Sequence, residues 1–254
     1  MKLFFLLVTI ISSFWFGFRS PESDSNSPGA FSHETWDNLL KKYVSGEGNV
    51  DYRGFKKDSI TLNRYLGLLM ANPPDEKKWT RNQQMAYWIN AYNAFTVQLI
   101  IRNYPLKSIK DIGNSIQVPF VNSPWDISFI KIGAEKLNLN NIEHGILRKK
   151  FNDARIHFCL VCASESCPPL MNSAYVADSL DNQMNRRTRM FINNEKYNVI
   201  KPAEIKISMI FSWYKGDFTS GNSILIDYLN RYSNTKINHD AKISFLDYDW
   251  GLNE

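Results

Sequence analysis

The feature that most constrains this chain is the stretch of residues 155–170, where an apolar run leads into a cysteine-containing loop and then two prolines. Residues 156–161 are apolar except for His157, and a run of this length predicts a buried strand. Residues 162–167 are small and polar, and the proline pair 168–169 prevents a strand or helix from continuing, so the chain must turn there. Because loops at strand ends commonly present reactive groups, we expect the chemistry of this protein in that loop.

The patterning of the rest of the chain predicts a single α+β domain over residues 31–254. Helical spacing of apolar residues occurs at 32–44, 60–71, 80–102, 142–151, 175–193, 208–214 and 224–232. Strand patterns occur at 128–132 and 135–139, joined as a hairpin, and at 196–200, 204–207 and 243–250. With 44% hydrophobic residues in 254, the chain can bury a sizeable core. No repeat or linker separates these segments, so we expect helices packed around a small, mostly antiparallel sheet.

The segment 80–102 predicts a central buried helix, because it is apolar over most of its circumference. Thr80 and Gln83 have the spacing of a capping box. Asn90 and Asn93 lie one turn apart on it, and buried amides need hydrogen-bond partners. We expect these amides to hold the backbone of neighbouring loops, with a direct role in a binding site as the alternative.

Residues 1–20 have the pattern of a secretory signal peptide, with one early lysine and an apolar run that is short for a membrane span. The junction at residues 18–20 lacks a clear cleavage motif, so an uncleaved N-terminal anchor is the alternative. Residues 21–30 are rich in Ser, Pro and Asn, which predicts a flexible spacer. We therefore expect a secreted or periplasmic protein that contacts a membrane only if the leader is uncleaved.

The charge of the chain argues against a nucleic-acid partner. The formal charge is +5, and removing residues 1–20 takes away Lys2 and Arg19 and leaves +3. The basic residues are spread along the sequence apart from short clusters at residues 148–150 and 186–189, which are typical of solvated helix faces.

The three cysteines of the chain all lie within residues 155–170. At most one internal disulfide can form, so an exported form retains a free thiol that is either buried and inert or kept for its reactivity. Cys162 is the candidate nucleophile, because it follows the apolar run, whereas Cys159 lies inside it. A thiol attacks as the thiolate, which requires a neighbouring base and a third group that orients the base.

His157 is the candidate base, and Glu143, on the helix predicted just upstream, is the candidate orienting carboxylate. His144 is the alternative base. In a regular strand, residues five apart lie on opposite faces, so His157 reaches Cys162 only if the chain folds back after Val161. A core histidine with satisfied hydrogen bonds is the other interpretation of His157.

Two further interpretations of the cysteines stay open. His157, Cys159, Cys162 and Cys167 have side chains that bind zinc, although a buried strand is an unusual place for a zinc site. A disulfide between Cys162 and Cys167 would instead close a short loop and remove the nucleophile. The hypothesis we favour requires no metal and no cofactor.

The chain resembles the domain of unknown function family numbered 547 in several short motifs that occur in order between about residues 32 and 253. These motifs are residues 50–52, 87–94, 142–148, 156–158, 162–170, 211–214, 217–218 and 246–250. The departure from the family pattern is Cys159, which stands where a small apolar residue is usual.

The resemblance implies a domain that occurs alone in exported bacterial proteins and attached to coiled coils in plant proteins. It also implies a proposed cysteine-hydrolase-like site whose Glu, His and Cys fall on Glu143, His157 and Cys162. A layout similar to that of papain is an expectation of the same kind.

These observations lead to two functional hypotheses. The first is an exported hydrolase or acyltransferase that uses Cys162, His157 and Glu143 on an amide or peptide-like bond of a substrate that the sequence does not identify. The second is a non-catalytic secreted binding domain with a Cys162–Cys167 disulfide. Its groove would be lined by four aromatic residues, Trp88, Tyr92, Trp213 and Tyr214.

Overall fold

The computed structural model of the protein describes residues 31–113, 123–219, 221 and 223–254. The leader and spacer expected at residues 1–20 and 21–30 lie outside these ranges. No helix within the described ranges has both the length and the apolar character needed to cross a membrane.

Helices make up most of the regular structure. The α-helices are α1 (Glu34–Tyr43), α2 (Tyr52–Lys57), α3 (Ser59–Ala71), α4 (Arg81–Asn103), α5 (Leu180–Ile192), α6 (Ile210–Trp213), α7 (Lys215–Phe218) and α8 (Leu225–Asn230). A π-helix spans Asn141–Phe151, and 3-10 helices span Ile109–Asp111, Pro124–Asp126, Ala154–Phe158 and Ala177–Ser179.

Two small sheets accompany the helices. Strands β1 (Ile130–Ile132) and β2 (Glu135–Leu137) form an antiparallel hairpin. In the second sheet, β4 (Glu204–Ile207) pairs antiparallel with β3 (Asn198–Ile200) and parallel with β5 (Lys242–Phe245). The α+β class is therefore confirmed. The last strand, expected at residues 243–250, ends earlier than predicted. After Phe245 the chain leaves the sheet and runs towards the site described below.

The described residues bury two hydrophobic clusters. The larger surrounds α4 and includes side chains from α1, α2, α3 and the π-helix. The smaller consists of side chains from α5, β4 and the helices that follow it. Ile156 and Cys159 belong to the larger cluster and Phe158 to the smaller one, so the 3-10 helix Ala154–Phe158 lies between the two. That position explains why residues 156–161 are almost entirely apolar.

Helix α4 is the centre of the larger cluster. Every residue from Gln84 to Ile101 is buried, as its all-round apolar sequence predicts. The helix begins with the expected capping box, in which the Thr80 side chain accepts from the Gln83 N–H and the Gln83 side chain accepts from the Thr80 N–H.

The amides of Asn90 and Asn93 hold loop backbone, as the sequence predicts. Asn93 donates from Nδ2 to the Cys159 carbonyl at 2.9 Å and accepts from the Val161 N–H at 2.9 Å. Asn90 donates from Nδ2 to the Tyr175 carbonyl at 2.8 Å and accepts from the Tyr175 N–H at 3.0 Å. Each side chain therefore replaces the hydrogen bonds that a neighbouring strand would supply.

The strand predicted at residues 156–161 is wrong. Ala154–Phe158 is a 3-10 helix that starts with the Asp153 side chain accepting from the Arg155 N–H at 3.0 Å. A short apolar run reports burial but does not by itself distinguish a strand from a buried helix. Here the run is buried between two clusters and bonded by Asn93, so no sheet is needed to satisfy its backbone.

We expect Asn93→Ala to lower the free energy of unfolding by about 2–4 kcal/mol, because it leaves a buried carbonyl and a buried N–H without partners. Urea denaturation measures this change. Asn103→Ala on the same helix removes an exposed amide that bonds Leu99, and we expect less than about 0.5 kcal/mol. Equal unfolding midpoints for the two variants would contradict the role given to Asn93.

Candidate functional site

The loop of residues 162–167 folds back on itself and packs against the C-terminal segment. The Cys167 N–H donates to the Ser164 carbonyl at 3.0 Å, which closes a turn. The Glu165 N–H donates to the Gly251 carbonyl at 2.8 Å. The Asp249 N–H donates to Ser166 Oγ at 2.9 Å, so residues 248–251 determine where the loop sits.

The backbone next to the candidate nucleophile is strained. Ala163 has φ of +58° and is fully buried. This left-handed region costs a residue with a Cβ about 1–2 kcal/mol. Such strain persists only where the surrounding structure enforces it, and it concentrates at functional sites.

Cys162 is partly exposed, and several polar groups surround its sulfur. Sγ lies 3.0 Å from the Tyr248 hydroxyl and 3.2 Å from Ser164 Oγ, and the Ser164 hydroxyl donates to Tyr248 at 3.1 Å. Burial raises the pKa of the Cys162 thiol, but hydrogen bonding with Cys167, Ser164 and Tyr248 favours the thiolate more strongly, so the pKa lies below its usual range. Burial raises the pKa of Tyr248 well above its usual range, so this hydroxyl keeps its proton and can donate it.

The other two cysteines are buried, and all three are free thiols. Burial raises the pKa of Cys159 to about 12. Burial and the neighbouring Cys162 raise the pKa of Cys167 well above its usual range, and Cys167 Sγ accepts from the Cys162 N–H at 2.7 Å. Cys162 is therefore the thiol most easily ionised.

His157 is buried, and both of its ring nitrogens face carboxylates. Nε2 lies 2.7 Å from Asp217 Oδ2, and Nδ1 lies 3.9 Å from Glu143 Oε1. The ring stacks on Tyr214, with centroids 3.9 Å apart and planes at 24°. The hydrogen bond to Asp217 therefore fixes the orientation of the imidazole, and Glu143 stands on its other side.

Asp217 is paired with a guanidinium as well as with His157. Arg148 donates from Nε to Oδ2 at 2.6 Å and from its Nη2 to Oδ1 at 2.8 Å, a bidentate arrangement. Partial burial raises the pKa of Asp217, but the hydrogen bonds from His157 and Arg148 outweigh it and hold the pKa well below the usual range. His144, the alternative base, is exposed and bonds Arg148 at 3.0 Å.

Glu143 lies on the π-helix Asn141–Phe151 with its side chain turned inward. It is buried, and the Tyr92 hydroxyl donates to Oε2 at 3.2 Å. A π-helix is rare in proteins and often occurs at a functional site.

Cys162, His157 and Glu143 line one cavity of about 300 Å³. No hydrogen bond joins Cys162 to His157 among the described residues, because each is bonded elsewhere. The other lining residues are mainly aromatic or apolar: Tyr92, Ser123, Trp125, Asn140, Leu160, Cys167, Pro168, Ile210, Trp213, Tyr214, Tyr248 and Trp250.

Partly exposed aromatic rings form part of the cavity wall, and we call Trp125, Trp213, Tyr248 and Trp250 the aromatic rim. Trp213 is 46% exposed and stacks on Trp250 with centroids 5.8 Å apart. The Tyr248 ring packs beside this pair, with its centroid 4.7 Å from that of Trp213 and 4.5 Å from that of Trp250. The rim reaches the cysteine loop, because Tyr248 also contacts Cys162.

The described residues do not form the zinc site considered from the sequence. In the part of the chain that the structure describes, no group of three or more His, Cys, Asp or Glu side chains is arranged to hold a metal ion. Cys159 is turned to the Arg155 carbonyl, and Cys162 to Ser164 and Tyr248.

Sequence reasoning missed three residues that complete the site: Asp217, Tyr248 and Ser164. Asp217 and Tyr248 are 60 and 86 residues from the side chains they contact, so no local pattern connects them. Both lie in short motifs, residues 217–218 and 246–250, that were noted for family resemblance. The polar side chains of these motifs were the sequence signal that could have identified Asp217 and Tyr248 as site residues.

We expect Asp217→Asn to remove part of the pH dependence of stability. A carboxylate whose pKa is lower in the folded than in the unfolded protein contributes stability above its usual pKa of about 4, and this is lost progressively as the pH falls further. Thermal unfolding between pH 2.5 and 7 measures the effect.

At pH 7 the Asp217→Asn variant should be less stable by about 1–3 kcal/mol, because the hydrogen bonds to the carboxylate weaken. Asp240→Asn is the control, since Asp240 is exposed and forms no ion pair among the described residues. If Asp217→Asn and wild type lost stability in parallel below pH 4, the role assigned to the ion pair would be wrong.

Comparison with known proteins identifies the family. Residues 76–192 match the sequence profile described as "Protein of unknown function, DUF547". No curated protein and no solved structure is significantly similar to the chain. Because no solved structure matches, the papain-like layout stays a prediction. The matched region includes Glu143, His157 and Cys162, whereas Asp217 and Tyr248 follow it. The resemblance to the DUF547 family that the motifs predicted is therefore confirmed over residues 76–192.

Proposed function

We propose that this protein is a cysteine-dependent hydrolase or acyltransferase that acts on an amide or peptide-like bond. The observation that carries the proposal is the pairing, in one cavity, of a thiol whose pKa is lowered with a histidine held between two carboxylates. A nucleophile, a base and an orienting acid are the groups that thiol-based acyl transfer requires.

Each group has a distinct part in the proposed reaction. Asp217 accepts from His157 Nε2–H, so Nδ1 is the nitrogen that exchanges a proton with the reacting groups. Asp217 is therefore a positioning residue, held in turn by Arg148. Tyr248 donates towards Sγ, the Ser164 hydroxyl in turn donates to Tyr248, and both contacts favour the thiolate. Because Cys162 and His157 are not bonded to each other, the proton passes through a water or after a small rotation of the thiol.

The reaction has two steps. The thiol proton of Cys162 passes to His157, and the thiolate attacks the carbonyl carbon to form a C–S bond. The C–N bond then breaks, and the amine leaves with the proton from His157. In the second step a water gives a proton to His157 while its oxygen attacks the thioester carbonyl. The C–S bond breaks, the acid leaves, and His157 returns its proton to the sulfur, which restores the thiol. An amine or alcohol in place of water makes the same site an acyltransferase.

The same proposal includes export. Residues 1–20 have the composition of a secretory leader, and the apolar run ends before the polar spacer of residues 21–30. The substrate would then be met in the periplasm or outside the cell, and the protein would contact a membrane only if the leader stays attached.

A non-catalytic binding domain is the second candidate, and the aromatic lining of the cavity favours it. Tyr92, Trp213 and Tyr214 line the cavity, whereas Trp88, the fourth residue expected in the groove, is buried and is not among the lining residues. The Cys162–Cys167 disulfide expected for such a domain is distinguished by intact mass before and after reduction and alkylation. A deficit of two hydrogens in the unreduced protein would support the disulfide.

Iodoacetamide at pH 7 should alkylate Cys162 first, because its thiol is the most exposed and the most acidic of the three. In Cys162→Ala we expect the initial labelling rate to fall at least about tenfold. Peptide mass mapping after partial labelling locates the adduct. With p-nitrophenyl acetate, the wild type should also gain the mass of one acetyl group on Cys162.

Cys159→Ala is the matched control and should label and acetylate like the wild type, since the Cys159 thiol is buried. Equal labelling of Cys162→Ala and wild type would count against the nucleophile. Labelling without acetylation would leave a reactive thiol that does not carry out acyl transfer.

Tyr248→Phe should slow iodoacetamide labelling of Cys162 at pH 7 by about two- to fivefold, because the thiolate loses one donor and its pKa rises. The difference should disappear above a pH of about 9.5, where the thiol is ionised in both proteins. Stopped-flow labelling over this pH range gives both values. Tyr232→Phe, which alters a tyrosine away from the cavity lining, is the control and should be labelled at the wild-type rate. If labelling of Tyr248→Phe stayed slow at high pH, the substitution would have changed the access of the reagent to Cys162 and not its pKa.

A further inference from the structure

We propose that the cavity recognises a positively charged group, an ammonium or guanidinium, on the substrate. This deepens the proposed function, because it makes the substrate an amide or peptide-like compound with a basic group near the bond that is cleaved. Two independent features support it: the charge inside the cavity and the geometry of the aromatic rim.

The charged groups of the site carry an excess of negative charge. Glu143 and Asp217 are carboxylates, and Arg148 pairs with Asp217 through two hydrogen bonds. Proton transfer from Cys162 to His157 creates one charge of each sign and leaves the total unchanged. The charge of Glu143 is therefore not matched by a lysine or arginine.

The surroundings of the cavity do not supply the missing cation. Its lining, in the part of the chain that the structure describes, includes no lysine or arginine. The neighbouring sequence 114–122 contains no charged residue and cannot contribute one. A buried carboxylate without a cationic partner is unfavourable, so a ligand cation that enters the cavity gains attraction that a neutral ligand does not.

The aromatic rim adds a second attraction for a cation. Ring faces carry negative electrostatic potential, and a cage of rings at angles to one another suits a compact cation. Tyr248 is inclined at 48° to Trp250 and 51° to Trp213, and Trp125 is at 67° to Trp250. Trp213 stacks on Trp250 at 26°, so the four rings pack against one another and present ring faces and edges at several angles along the cavity wall.

One ammonium group of the chain already lies over the face of a rim ring. Lys110 Nζ lies 3.7 Å from the centroid of Trp250, although Lys110 does not line the cavity. Trp213, with 46% of its surface exposed, leaves ring area that a ligand can contact. A ligand with a carboxylate near the scissile bond would instead meet both the ring faces and the charge of Glu143, which disfavours acidic substrates.

The test is a set of three probes of nearly the same shape and different charge, bound to the full chain carrying Cys162→Ala so that no turnover occurs. Choline is positive, 3,3-dimethylbutan-1-ol is neutral and 3,3-dimethylbutanoate is negative. Tryptophan fluorescence reports binding at the rim. We expect choline to bind about tenfold more tightly than the alcohol, the butanoate to bind weakest, and added salt to reduce the difference.

Glu143→Gln, made in the same background, should reduce the preference for choline over the alcohol by about threefold or more and leave binding of the alcohol unchanged. Glu195→Gln is the matched control, because it removes the same charge from an exposed position and should keep the preference. If Glu143→Gln does not fold, Trp213→Ala replaces it and should weaken choline binding.

Equal affinity for choline and the alcohol, tighter binding of the butanoate, or a preference unchanged by Glu143→Gln or Trp213→Ala would overturn the inference. The result is separable from the proposed function. Choline selectivity without acetylation of Cys162 in the wild type would leave a cation-binding cavity, whereas acetylation without selectivity would leave an acyl-transfer site of other specificity.

Discussion

The interaction on which the site depends is the pair of hydrogen bonds from Asn93 to the backbone of residues 159–161. Helix α4 is buried along most of its length and packs within the larger hydrophobic cluster, so it provides a rigid support for this amide. The bonded backbone lies between His157 and Cys162. The core of the domain therefore fixes the backbone that connects the two side chains of the proposed acyl-transfer site.

The cost of the site is distributed over the surrounding fold. Ala163 adopts a left-handed backbone that a residue with a Cβ disfavours, and the C-terminal segment 248–251 holds the loop in that form. His157 and Asp217 are taken out of bulk water, and Arg148 compensates with a bidentate ion pair. The loop held in this form places Cys162 beside Cys167, Ser164 and Tyr248, whose hydrogen bonds make its thiol more acidic than the two buried cysteines.

Much of the fold was predictable where a pattern is local. The capping box at Thr80, the buried helix α4, the β1–β2 hairpin and the amide of Asn93 all follow from spacing and burial within a few residues. The strand expected at residues 156–161 was wrong because burial alone does not specify backbone conformation. A helix was expected at residues 142–151, but its π hydrogen bonding, which places Glu143, was not readable from residue spacing.

By itself, the amino-acid sequence determined three candidate site residues, Cys162, His157 and Glu143, and the family resemblance, and its small residues and two prolines allowed a turn after Val161. It also determined that Cys159 would be buried, because the residue lies in an apolar run. Only the tertiary structure decided that the hydrogen bond of His157 goes to Asp217, with Glu143 on the opposite side, and that Tyr248 lies at the sulfur. The physical reason is that these contacts join residues far apart in the chain, and their distances depend on how two hydrophobic clusters pack.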